Sequence, residues 1–187
     1  MKNPYIFGYL PFVTIILFSL TFGVFTVGPS IDLFKEIGLY SGMREFLTDL
    51  QLRLFLLIIY MLLFFMVFAA LKLIAETIHE TAMLLFSKDE EGSSYHQARG
   101  GNVIYFFGAF ASAGGINSIK ILIGIFIVTT VIYFIYAVYR LSSYLTPLST
   151  IGLIIFEIII WGVLLAVVIY VLLKLYNGVL ASLPFIS

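Results

Sequence analysis

The run Leu54–Leu71, LFLLIIYMLLFFMVFAAL, contains no charged residue, no Gly and no Pro. Wound as an α-helix at 1.5 Å per residue it extends about 27 Å, close to the ~30 Å hydrocarbon layer of a bilayer. Charges bracket it, with Arg44, Glu45, Asp49 and Arg53 before it and Lys72 directly after. The run is the centre of a membrane span over about 50–74. No breaker follows Lys72, so the helical pattern is predicted to continue over 72–86. In that extension Lys72, Glu76, His79, Glu80 and Met83 share one face, and Leu71, Ile74, Ala75, Ile78, Ala82 and Leu85 the opposite one. The span therefore becomes amphipathic as it leaves the membrane.

Three more apolar runs have spanning length. The first covers about 5–27 and is read as a retained span, because no small-x-small cleavage site follows it. Gly28-Pro29-Ser30 is expected to end it, with Ser30 capping a short interfacial helix over Ile31–Ile37. The other two cover about 119–141 and 151–173. Between the second and third spans, 87–102 reads as a soluble loop carrying Lys88-Asp89-Glu90-Glu91 and His96. The apolar segment 103–113 follows, and its helix would reach only about 16 Å. It is expected to be a half-helix, re-entrant segment or interfacial helix, broken at Gly114, Gly115 and Asn117. The fold class is thus an all-α polytopic bundle in a single membrane domain, with about four spanning helices and one short non-spanning or re-entrant helix.

Composition agrees. Of 187 residues 62% are hydrophobic and 11% charged, and the mean hydropathy is +1.14. An ordinary soluble domain is roughly 45–50% apolar and about 25% charged. Formal net charge is zero, and no basic stripe marks nucleic acid as a partner. With no cysteine, disulfides, thiol catalysis, Cys-bound zinc and iron–sulfur clusters are excluded. Nucleophile elbows, phosphate loops and dinucleotide fingerprints are absent from the sequence as well. No cofactor is expected, and an enzyme is the least supported class. Lys and Arg in the short loops lean slightly towards cytoplasmic N- and C-termini.

Several segments together resemble the YufK-like family of small Bacillus-type membrane proteins. They are Gly38-Leu39-Tyr40-Ser41-Gly42-Met43-Arg44-Glu45-Phe46, Leu71-Lys72-Leu73-Ile74-Ala75, Phe86-Ser87-Lys88-Asp89, Phe156-Glu157-Ile158 and Lys174-Leu175-Tyr176-Asn177. The resemblance covers nearly the whole chain. It implies a bacterial plasma membrane, and it supplies no activity and no site residues.

Glu157 is the residue most charged with meaning. It lies in Ile-Ile-Phe-Glu-Ile-Ile-Ile-Trp, about 9 Å inside the start of the last span. A lone carboxylate at such depth costs ~2.5–3.5 kcal/mol on insertion scales, so it must be protonated, paired or wet. With four spans, Arg53 and Arg140 are expected at the same membrane face, and Tyr136 within reach. Two alternatives stand: a proton- or cation-binding site, or a structural ion pair that fixes helix register. Glu76-x-x-His79-Glu80 is a second constellation, spaced for a shared metal if another copy adds ligands, or for pH sensing by an imidazole; otherwise it is a solvated helix face. Small residues four apart (Gly108 and Ser112, Ala109 and Ala113, Ser19 and Gly23, Gly162 and Ala166) allow close helix approach, within the chain or between copies. Three functions follow as expectations: a homo-oligomeric ion or small-solute channel or transporter using Glu157; a non-catalytic scaffold or regulator for a membrane-protein partner; and, least supported, a metal-dependent membrane enzyme resting on Glu76, His79 and Glu80.

Overall fold

The computed structural model describes residues 8–87 and 99–182. Residues Tyr5 to Phe7 of the expected first span, and most of the expected soluble loop with Lys88–Glu91 and His96, lie outside them. The described residues form six α-helices: α1 (Leu10–Glu36), α2 (Leu39–Phe46), α3 (Asp49–Phe86), α4 (Asn102–Ser112), α5 (Ile119–Leu141) and α6 (Pro147–Ser182). Four of these, α1, α3, α5 and α6, are long and apolar enough to cross a membrane, and no strand occurs among the described residues. The protein is an all-α helical bundle.

α3 starts where its sequence says it should. Thr48 accepts from the Gln51 amide while the Gln51 side chain accepts from the Thr48 amide. This reciprocal cap satisfies donors that the first turn leaves over. The helix then runs unbroken for 38 residues to Phe86, so the amphipathic extension is one piece with the span. The expected end of α1 at Gly28-Pro29-Ser30 needs correcting, because α1 continues through Pro29 to Glu36. α3 holds both sides of the proline: Val27 and Ile31 pack on Leu52 and Leu56, and the Ser30 hydroxyl lies 2.6 Å from the Tyr60 hydroxyl. Neighbouring helices make such breakers tolerable in a membrane. The short interfacial helix is α2 instead. It follows Gly38, whose φ of 75° is the left-handed conformation that glycine adopts without a Cβ clash.

α1 and α3 pack antiparallel, closest where a Cβ on Gly23 would come within 3.2 Å of the Met61 amide nitrogen. Beside this contact Phe18, Phe22, Phe68 and Phe126 form an aromatic core, with ring centroids 5.2 Å apart for Phe22–Phe68 and Phe68–Phe126.

α4 is as short as its sequence indicates, at 11 residues, yet it packs along the length of α5 in the opposite direction. A Cβ on Gly101 would meet the Tyr133 ring, one on Gly108 would meet Thr129, and one on Gly115 would meet Ile121. On its other face Ala109 and Ser112 are buried, and the Ser112 hydroxyl is 2.9 Å from that of Thr21 on α1. Ile116 and Asn117 then share a groove with Gly28, Pro29 and Arg53. So α4, lengthened by the 3-10 turns Arg99–Gly101 and Ala113–Gly115, carries the chain from one end of the bundle to the other. From Gly101 to Ile116 this covers about 22 Å at helical rise. Small side chains let it pack closely on α1 and α5, with Phe107 and Phe110 left exposed.

That traverse sets the direction of everything after it. α5 leaves the Arg53 end and finishes at the end towards which α3 runs. α6 starts there and runs antiparallel to α3, with Phe86 against Gly152 and Phe156. The described chain therefore begins at one end of the bundle and points towards the other at its close. Sequence alone, with α4 not crossing, placed both termini on one side.

Candidate functional site

The extension of α3 presents Ile78, His79, Ala82 and Phe86 to α6, which answers with Gly152, Leu153, Phe156 and Glu157. Ile78, Ala82 and Leu153 are buried, the last two completely. A Cβ on Gly152 would sit 2.6 Å from the Phe86 ring, so glycine is what lets the two helices approach there. Inside this apolar frame the Glu157 Oε1 lies 2.7 Å from the His79 Nδ1. The carboxylate side chain is 7% exposed and the imidazole 23%. The distance is that of a charge-assisted hydrogen bond.

Glu157 is buried, as expected, but its partner is an imidazole. The expected partners Arg53, Arg140 and Tyr136 are not assembled around it. The Arg53 Nε donates to Asp49 Oδ2 at 2.8 Å, at the opposite end of the bundle. Arg140 sits over the Tyr136 ring, 5.8 Å from its centroid, and Tyr136 faces Gly100 and Gly101 at the start of α4. For Arg53 the cause of the correction is direction, whereas Arg140 and Tyr136 are taken up by one another and by the approach of Gly100 and Gly101. Had α4 stayed at one surface, α5 would end and α6 would begin beside Arg53. Because α4 crosses, α6 begins beside the tail of α3, where His79 waits.

The Glu76, His79 and Glu80 constellation does not converge. Glu76 pairs with Lys72 one turn earlier on the same helix, His79 turns to Glu157, and Glu80 is exposed. Among the described residues no group of three or more His, Asp or Glu side chains is placed to hold a metal ion. The backbone break at Gly114, Gly115 and Asn117 is the turn of the α4–α5 hairpin. There the Ser118 amide donates to the Gly115 carbonyl at 3.0 Å, and Gly115 is buried where a Cβ would come within 2.9 Å of Ile121.

Chemically, the pair can hold a proton between two groups on different helices. A carboxylate facing an imidazolium and a carboxyl facing a neutral imidazole have the same net charge. Loss of that proton leaves a buried anion, and gain of another leaves a cation. An arginine partner, always charged, could neither share this proton nor release one, leaving the carboxylate as the single exchanging group.

The chain matches the family of unknown function DUF5366 over residues 27–184. It is 36% identical over 184 residues to the uncharacterized membrane protein YufK of Bacillus subtilis (strain 168), covering 98% of this chain and 100% of that protein. No solved structure matches it. A match over most of the chain and a relative aligned end to end establish the kinship: this chain is a membrane protein of the DUF5366 family, the family of YufK.

Proposed function

We propose that this protein moves an ion or small solute across the membrane as an assembly of several copies, with His79 and Glu157 taking up and returning a proton during the cycle. The observation that carries the proposal is the burial of Glu157 on a bilayer-length helix with an imidazole for its partner. Ionisable groups on membrane helices are expensive and mark proton and ion pathways. Imidazole is the side chain whose charge changes most readily between pH 5 and 8. Assembly follows from size, since a bundle this small encloses little interior of its own. No bond in a substrate is made or broken in this scheme, which calls for no enzymatic step.

Purified protein in proteoliposomes containing a pH-sensitive dye tests this. Under an imposed potential the wild type should move protons faster than empty vesicles, and Glu157→Gln and His79→Gln should abolish the excess. Flux equal to empty vesicles, or wild-type flux in Glu157→Gln, would overturn the proposal.

A second reading, a scaffold for another membrane protein, is favoured by α6. Every residue from Leu165 to Gly178 is exposed, so none of the described residues buries this half of the helix. Photo-crosslinking from Tyr170 in intact membranes separates the two readings. Links between copies agree with self-assembly, and links to a different protein agree with the scaffold.

A further inference from the structure

At the end of the bundle away from His79, a groove of about 530 Å³ opens between α1, α3 and the α4–α5 turn. Its floor is apolar, with Val24, Leu54 and Leu57, and its rim carries Arg53 and Asn117. Arg53 immediately precedes the uncharged run of α3, which places the rim where a bilayer's apolar layer gives way to head groups. Asp49 occupies the Arg53 Nε, leaving the two Nη groups for a ligand. Pro29, also on the groove, has no N–H to give to the carbonyl of Phe25, which lines the same groove.

We infer that this groove is a binding site for one phospholipid molecule, its phosphodiester held by Arg53 and Asn117 and an acyl chain laid over Val24, Leu54 and Leu57. A guanidinium presents paired N–H donors in the geometry that phosphate oxygens accept. An amide adds a further donor, and the apolar floor runs inward from the rim as an acyl chain does from its head group. Asp49 offsets the charge of Arg53, so the site reads the phosphodiester itself, which zwitterionic and anionic phospholipids share. The site is independent of the His79–Glu157 pair and lies at the opposite end of the fold.

Gly28 provides the decisive variant. A Cβ there meets nothing within 4 Å, so the side chain of Gly28→Leu starts in open space on the groove, and leucine favours the helix more than glycine does. The experiment is a thermal-shift titration of detergent-purified protein with phosphatidylglycerol, phosphatidylethanolamine, a phosphate-free diacyl glycolipid and inorganic phosphate. Both phospholipids should give a saturable stabilisation that the glycolipid and inorganic phosphate do not. Gly28→Leu should remove it, and Arg53→Gln and Asn117→Ala should each weaken the apparent affinity, for Arg53→Gln by about tenfold or more, the loss typical of a hydrogen bond to a charged group. Undiminished phospholipid stabilisation in Gly28→Leu and Arg53→Gln would overturn the site. An equal response to the glycolipid would overturn the role of the phosphodiester, and an equal response to inorganic phosphate alone would overturn the lipid as its source.

Discussion

His79 and Glu157 meet across α3 and α6 at 2.7 Å although 78 positions separate them in the chain. Nothing local brings them together. Their contact depends on a helix of 11 residues, α4, which carries the chain through the bundle and so decides which end of α3 receives the start of α6.

The pair should be worth measurable stability. A hydrogen bond to a charged group contributes about 1.5–3 kcal/mol, and 1 kcal/mol moves the midpoint of a chain this size by about 2–4 °C. Glu157→Gln and His79→Gln should each lower the melting temperature in detergent by several degrees. The double variant should cost clearly less than their sum, since the two groups act on one another. The single tryptophan, Trp161, lies one turn beyond Glu157 and reports this region by its fluorescence.

Glu76→Gln provides the contrast. The Lys72–Glu76 pair lies along one helix with its side chains 34% and 45% exposed, and such pairs contribute about 0.3–0.5 kcal/mol. Its melting curve should nearly superimpose on that of the wild type. A loss as large as that of Glu157→Gln would mean that Glu76 does more than pair with Lys72.

The direction of α5 can be read by labelling, because the chain has no cysteine of its own. Ser41→Cys in α2 and Ser143→Cys after α5 both fall at exposed positions. With α4 crossing, an impermeant maleimide should reach them from opposite faces of the membrane. Labelling of both from the same face would restore a surface-bound α4 and separate Glu157 from His79.

Packing of α4 against α5 is tightest at Gly108. A Cβ on Gly108 would come within 2.2 Å of the Thr129 Oγ1 and 2.8 Å of its Cβ. Gly108→Ala should therefore cost about 1–3 kcal/mol, the usual range for overpacking, read as a lower melting temperature. Adding Thr129→Ala should recover part of it, and no recovery would place the strain elsewhere.

Much of the fold is legible in the sequence for a simple reason. Lipid requires long, predominantly apolar helical runs, and 54–71, 119–141 and 151–173 declare themselves. The extension to Phe86 is legible because its charges recur on one helical face. α4 is harder, since its 11 residues fall short of a bilayer-length run; it packs on α1 and α5 while Phe107 and Phe110 stay exposed. Its signal is the spacing of Gly108, Ala109 and Ser112, which marks close packing without saying against what. The continuation of α1 beyond Pro29 is hidden for the same reason, because the contacts of Val27, Ser30 and Ile31 with α3 are tertiary. Glu157 is visible from its apolar surroundings, and His79 from its place on the polar face of α3. Their pairing requires the direction of α6, which no local pattern encodes.

The central claim, that His79 and Glu157 form one proton-holding unit, is most directly tested by nitrogen-15 NMR of histidine-labelled protein followed across pH 5 to 8. Only His79 and His96 contribute signals, and His79→Gln assigns them. The pairing predicts that Glu157→Gln moves the His79 ring-nitrogen resonances, Nδ1 above all, and leaves those of His96 as they were. His79 resonances identical in the wild type and Glu157→Gln would contradict it.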